Sequence, residues 1–388
     1  MHAGHLDRLS TEGCGPVPNL IFTAEQEEFR SVLADFFGSR SPESEVRRLM
    51  ETSDGYDAAL WREMGEGLGL QGLGIPEQYG GSGFSHLEIA LVLEEMGKAL
   101  VCAPYFSTVV LAANAVMLSG DDDAKGSYLP GIASGETIAT LAFTDDRGRW
   151  DANGISATAR ESETGWSITG ISSFVTDGHT ADLVLVAARS TSGVSLFAVP
   201  GDAPGMTRTL LTTLDPTRKQ ARLEFCETPA TLIGTEGQGE PVLDKVLDLA
   251  VVGLAAEQVG GAQHVLEMAV RYAKERIQYG RPIGSFQAIK HRCADMLLEV
   301  ESARSAAYQG AWCSVEGGEE LAEVAALSKA YCSETYLDAA TDNIQIHGGI
   351  GFTWEHPAHL YFRRAKSSEL LFGNPTHWRE IFADRIGL

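Results

Sequence analysis

Three stretches hold residue types able to grip a phosphorylated, planar cofactor. The first is Arg276-Ile-Gln-Tyr-Gly-Arg-Pro-Ile-Gly-Ser-Phe-Gln-Ala-Ile-Lys-His291, where Arg276 offers a permanently charged planar fork suited to a diphosphate. About seventy residues on comes Gln345-Ile-His-Gly-Gly-Ile-Gly-Phe-Thr-Trp-Glu-His356. Gln287 and Gln345 can donate and accept hydrogen bonds without adding charge. Gly348 and Gly349 let the backbone approach a bulky ligand where a Cβ would clash. The third stretch is Phe174-Val-Thr-Asp-Gly178, which sets a hydroxyl beside an aromatic ring at a strand end. There Thr176 could hydrogen-bond the N5 atom of a flavin while Phe174 shields one ring face. Each residue also has an ordinary structural role. Arg276 suits a helix C-terminus, Gly348 and Gly349 a helix-ending turn, and Thr176 any strand. Only their joint occurrence points to chemistry.

The elements that must position these residues follow from periodicity. Thr23 and Gln26 fit a capping box, and Phe29, Val32, Leu33, Phe36 and Phe37 recur at helical spacing. Residues 87–100 predict a second strong helix. Between them, a literal G-x-G-x-x-G at Gly67, Gly69 and Gly72 overlaps the glycine-rich stretch 68–83. A dinucleotide fingerprint must follow a strand, and residues 60–64 read as helix, so the match is discounted. From about Thr137 the period becomes that of strands. Residues 181–186 and 194–199 flank a polar turn, and 221–225 alternate as a strand with one wet face does. Short strands without long helices between them predict an antiparallel barrel or sandwich that ends in the glycine-rich stretch 234–239. Beyond it, residues 242–278, 286–316 and 319–346 predict three long helices, with shorter ones after Thr353. Residues 247–266 are apolar nearly all round, which marks a helix buried in a bundle or at a subunit interface. The predicted fold class is α+β and multidomain. A flexible tail (1–20) precedes a helical domain (21–136), a β unit (137–238) and a helical bundle (239–388).

Composition narrows the function classes. The 388 residues exceed a typical single domain, and 44% apolar with 21% charged residues is ordinary for a globular chain. No apolar run approaches the roughly 20 residues that span a bilayer, so no membrane role is expected. The first 19 residues have no apolar signal core and are not arginine-rich, which argues against export or organelle import. Six cysteines without metal-ligand or C-x-x-C spacing read as free thiols of a reducing cytoplasm, and no metal site is predicted. A net charge of −23 disfavours nucleic acid. It also gives no long-range steering of an anionic ligand, which must be held by local cations and backbone N–H groups.

From about Leu20 to the C-terminus, the sequence resembles the acyl-CoA dehydrogenase family of flavoproteins, on the three stretches quoted above. The resemblance implies FAD as cofactor, an acyl-CoA substrate, and reoxidation by an electron-transfer flavoprotein. It implies that Thr144, Phe174, Val175, Thr176, Arg276, Gln278, Gln287, Gln345, Gly348 and Gly349 hold the cofactor. It further implies that the Arg276 and Gln345 regions of one subunit contact the flavin of its neighbour, hence a dimer or larger. One departure stands out. The family usually carries a Thr-Glu-Pro-x-Ala-Gly-Ser loop where the β unit begins. Here that stretch is Phe143-Thr-Asp-Asp-Arg-Gly-Arg-Trp150, which keeps Thr144 but replaces the small residues with charged ones.

A second departure concerns proton chemistry. Removing an α-proton as hydride leaves Cβ calls for a positioned carboxylate. In most of the family a glutamate precedes Gly-Thr after the last long helix; aligning Gly373 and Arg379 puts Phe372 there. The alternative family position on the first bundle helix falls on Ala250, and a family arginine one residue on falls on Val251. Glu257, Asp248 and Glu369 are the nearest acids, while His347 and His356 flank the glycine motif. None has the required pattern, so no catalytic residue is assigned. Three functions follow. The first is α,β-dehydrogenation of an acyl-CoA with an unusual base. The second is a base-lacking partner subunit, as in sterol side-chain dehydrogenases built from unlike subunits. The third, a flavin monooxygenase on the same architecture, ranks last because residues 345–356 look more like the dehydrogenases.

Overall fold

The computed structural model describes residues 22–163, 165–316 and 320–388; the expected tail lies outside them. Helix α1 (Ala24–Arg40) opens on the expected capping box. Thr23 Oγ1 accepts from the Gln26 N–H, and Gln26 Oε1 accepts from the Thr23 N–H. Two otherwise orphaned donors are thereby satisfied. Leu33 and Phe37 of α1 enter the core, whereas Val32 stays exposed. Helices α2 (Glu43–Met50), α3 (Ala58–Glu66) and α4 (His86–Lys98) follow. Since α3 runs into the glycine-rich stretch, the G-x-G-x-x-G match follows a helix and forms a turn. A π-helical stretch, Phe106–Ala113, continues into α5 (Asn114–Leu118), and α6 (Asp122–Ala133) completes this unit.

Seven strands come next: β1 (Ala139–Ala142), β2 (Thr158–Ser162), β3 (Gly165–Thr176), β4 (Leu183–Ser190), β5 (Gly193–Pro200), β6 (Met206–Leu210) and β7 (Gln220–Ile233). Five of them, in the order β4-β2-β3-β7-β5, close on themselves because β5 also pairs with β4. The unit is therefore a closed barrel rather than a sandwich. Nor is it purely antiparallel, since β1 and β2 both run parallel to β4. Alternation along a strand reports which face is wet but not which neighbour it pairs with, so this feature was invisible in the sequence. The β3–β7 register shifts between Ser172 and Val175. Phe174 sits in that bulge at φ +57, so its ring points out of a strand end whose Val175 and Thr176 stay buried.

Helix α7 (Gly239–Glu275) is 37 residues long, and every position from Val246 to Ala262 is buried. Its neighbours are α4, α8 (Gln287–Glu316) and α9 (Glu320–His347) of the same chain. The apolar circumference is thus satisfied within one protomer and carries no information about an oligomer. Helices α4 and α7 cross with their backbones in contact. A Cβ on Gly260 would lie 1.8 Å from the Glu94 carbonyl oxygen, and one on Gly97 2.0 Å from that of Glu257. The helix expected to reach Gln278 stops at Glu275, because Ile277 and Gln278 pair with Arg281 and Pro282 in a short hairpin. Helices α10 (Ala358–Leu370) and α11 (Pro375–Arg385) end the chain. Among the described residues, no helix is long and apolar enough to cross a membrane.

Candidate active site

A cleft of about 720 Å³ opens between the barrel and the α10–α11 corner of the bundle. Arg149, Trp150, Phe174 and Gln220 line its barrel wall; Leu371, Asn374 and His377 line the opposite one. The loop bearing Arg149 is ordered by its own charges. Asp145 accepts from the Arg147 backbone N–H (3.0 Å), from Arg149 Nε (3.1 Å) and from Arg149 Nη2 (2.6 Å). Burial by itself would raise the Asp145 carboxyl, but these donors hold it below its ordinary value. Asp146 turns away to Arg222 and Ser173. Gly148, at φ +68, supplies the left-handed bend that a side chain would strain. Across the cleft, Asn374 caps α11 by accepting from the His377 N–H at 2.9 Å.

An aromatic cluster lies behind the cleft and meets it at Trp150. Phe372, where the family resemblance places an acid, is 2% exposed. Its ring stacks on Phe106 (5.9 Å between centroids) and Phe143 (6.5 Å), and Trp150 meets it edge-on at 5.4 Å. Trp378 Nε1 donates to the Phe372 carbonyl at 2.9 Å and fixes the turn. Beneath Phe106 lies the Arg218 guanidinium, 5.3 Å from the ring centroid. Arg218 pairs with Glu257. Glu257 also accepts from Arg364 at 2.9 Å, and Arg364 reaches Asp215 at 2.7 Å and Thr217 at 2.6 Å. Burial alone would lower Arg364, but the two carboxylates outweigh it and hold the guanidinium above its ordinary value. Asp177, which accepts from Ser107 at 2.7 Å, is pushed up by burial to about 6. An inner chamber of about 20 Å³ lies among Phe106, Thr176, Asp177, Arg218, Glu257 and Arg364, enough for roughly one water.

The residues expected from sequence divide into two groups. Phe174 lines the cleft, while Thr144, Val175 and Thr176 are buried behind it, Thr176 against the inner chamber. Arg276, Gln278, Gln287, Gln345 and Gly349 are exposed, Gly348 is half-buried, and none lines the cleft of its own chain. Tyr272 near the end of α7 stacks on His347 at the end of α9, with ring centroids 4.2 Å apart. The runs beginning at Arg276 and Gln345 therefore share one end of the bundle. Every acid weighed as a base is engaged. Asp248 faces Arg385 at 2.9 Å and is pushed by burial to about 6. Glu257 serves two arginines, and Glu369 holds Lys366. Ala250 and Val251 are fully buried. Sequence reasoning missed Trp150, Phe106 and the Asp215–Arg364 pair. Their partners lie far apart in the chain, and only the 143–150 departure hinted at one of them.

A closed barrel set between two helical units, with a cleft at their junction, is the architecture into which the comparisons with known proteins fit. The chain belongs to the acyl-CoA dehydrogenase family. Its N-terminal domain model matches residues 23–136, its middle domain model 140–226 and its C-terminal domain model 237–387. The acyl-CoA dehydrogenase IpdE2 of Mycobacterium tuberculosis is 34% identical over 90% of this chain and 94% of that protein. A chain from the structure described as the electron transferring flavoprotein of Acidaminococcus fermentans is 30% identical. It superposes with a TM-score of 0.89 over 95% of this chain and 99% of its own. A chain of the ChsE4-ChsE5 complex from Mycobacterium tuberculosis is 28% identical, with a TM-score of 0.87 over 95% and 98%.

FAD is the cofactor that membership in this family carries, and the residues present fit it. Trp150 and Phe174 offer flat faces, Gln220 and Asn374 offer uncharged hydrogen-bonding groups, and Arg149 offers a cation. Bound there, FAD would supply a two-electron acceptor, with Trp150 and Phe174 packing on its ring system.

Proposed function

We propose that this chain acts in the α,β-dehydrogenation of an acyl-CoA thioester as one half of a two-chain enzyme. The second chain supplies the base, and the electrons pass to an electron-transfer flavoprotein. The observation that carries this reading is the burial of Phe372 in an aromatic cluster at the place of the family's acid. Asp177 and Glu257 line the small inner chamber beside Phe106, and neither lines the cleft. Asp151, at the exposed rim, is the one carboxylate among the residues lining the cleft. The similarity to a chain of a complex of two differently named proteins supports the same reading.

In this arrangement Phe174 packs against the flavin, with Thr144, Val175 and Thr176 forming its backing. Arg276, Gln278, Gln287, Gln345, Gly348 and Gly349 reach the cleft of an adjoining subunit. The exposure of Tyr279 (91%), Phe352 (79%) and Trp354 (63%) at that end supports such a contact, because isolated chains rarely leave so much aromatic surface in water.

The test is to express this chain alone and together with a dehydrogenase chain that carries the glutamate. Native mass and flavin content are then measured, and an acyl-CoA is added anaerobically. A mixed oligomer with one flavin per two chains, bleached by the thioester, is expected. A homo-oligomer that bleaches unaided would overturn the two-chain reading, and assemblies that stay colourless with added FAD would overturn the flavin reading.

A further inference from the structure

We infer that Arg149, oriented by Asp145, is the phosphate-binding residue that the chain itself contributes to its barrel–bundle cleft, beside whatever an adjoining subunit brings; this rests on the reading of that cleft as a ligand site. The ligand chemistry is a phosphate ester on a sugar or ribityl chain that also carries a flat heterocycle, found both in a flavin dinucleotide and in coenzyme A.

The argument begins with charge. The protein carries −23 overall, so a dianionic group gains nothing from the global field and needs a cation at the point of contact. Among the described residues of the chain itself, Arg149 is the one lysine or arginine lining the cleft. Its side chain is 46% exposed, whereas that of Asp145 is 9% exposed, so the pair points its cationic end outward. Asp145 takes Arg149 Nε and Nη2 on a single oxygen. No hydrogen bond among the described residues uses Arg149 Nη1. A guanidinium held this way has lost most of its rotamer freedom yet keeps a donor edge for an oxyanion. The loop carrying Arg149 is bent at its glycine. Gly148 bends it with a positive φ, and a Cβ at that position would already touch the Phe174 ring at 3.6 Å. Trp150, the next residue, closes the same wall against Phe143 and Phe174. One short loop thus sets a fixed cation beside two aromatic faces. The residue is charged and directional where the family pattern is small, so the grip comes from a side chain.

The test uses the full chain in its purified assembly, with Arg149→Gln and Arg149→Lys beside wild type. Affinities for FAD, for riboflavin (the same ring without phosphate) and for coenzyme A are measured by fluorescence and equilibrium dialysis. FAD affinity should fall about tenfold in Arg149→Gln, with Arg149→Lys between it and wild type and riboflavin unchanged. Wild-type FAD binding should also weaken more steeply with salt than that of Arg149→Gln. A selective fall for coenzyme A instead of FAD supports the same role with the substrate as the phosphate source. Equal binding of FAD and coenzyme A by all three proteins overturns the inference, as does an equal loss for FAD and riboflavin. Wild type that refuses both ligands overturns the reading of the cleft itself.

Discussion

Phe106 and Phe372 lie with their planes 21° from parallel and their centroids 5.9 Å apart. One comes from a π-helical stretch and the other from the turn after α10, so this contact joins the N-terminal unit to the end of the bundle. Phe372 adopts φ +61, which costs a residue with a Cβ roughly 1–2 kcal/mol, and packing of its ring must offset that.

Removing that ring tests how far the cluster supports the fold. Phe372→Ala should lower stability by about 3–5 kcal/mol, read from urea unfolding curves. Phe372→Glu should cost at least as much and leave the isolated chain unable to oxidise a thioester, because the carboxylate enters an apolar box. Wild-type stability for either variant would place the ring outside the core.

Glu257 holds two arginines in the interior, which makes its loss asymmetric. Glu257→Gln leaves Arg218 and Arg364 short of one charge, and a loss of about 3–5 kcal/mol is expected in denaturant titration. Glu63→Gln breaks the exposed pair with Arg40 and should change stability by no more than about 1 kcal/mol. Similar costs for the two would contradict the buried network.

Two buried groups should tilt the pH dependence of stability in opposite directions. Lys329 donates to Ser333 and to the Ser368 and Glu369 carbonyls, and burial lowers it from 10.5 to about 7. Between those values the unfolded chain binds more protons, so this residue makes stability rise with pH. Asp177, facing Ser107, Arg218 and Arg364, is raised by burial from 3.8 to about 6. The folded chain binds more protons across that window, so its contribution falls as pH rises. Lys329→Met should therefore flatten the alkaline slope and Asp177→Asn the acidic one, each measured as the difference from wild type. A variant that shifts the whole curve without changing its slope would remove that group from the explanation.

Tyr279 caps the hairpin between α7 and α8, where it is 91% exposed and its ring meets that of Phe286 edge-on, 6.1 Å between centroids. Tyr279→Ser should leave the melting temperature of the isolated fold nearly unchanged. It should weaken the oligomer and lower flavin content, followed by native mass spectrometry and absorbance. An unaltered oligomer with full flavin would show that this end of the bundle is not the contact.

Much was legible without coordinates because the signals are local. The Thr23–Gln26 cap, the three long bundle helices and the strand alternation of residues 221–225 depend on neighbours within a few positions, and all three are found. The absence of an acid at positions 250 and 372 was equally plain from residue identity. Tertiary structure alone decided what fills the gap. Phe372 gains its neighbours from positions 106, 143 and 150, and Glu257 its partners from 218 and 364. Barrel closure and the parallel pairing to β4 were hidden for the same reason. Periodicity records how a segment meets water and core, whereas the choice of partner across the fold depends on packing between segments that share no local pattern.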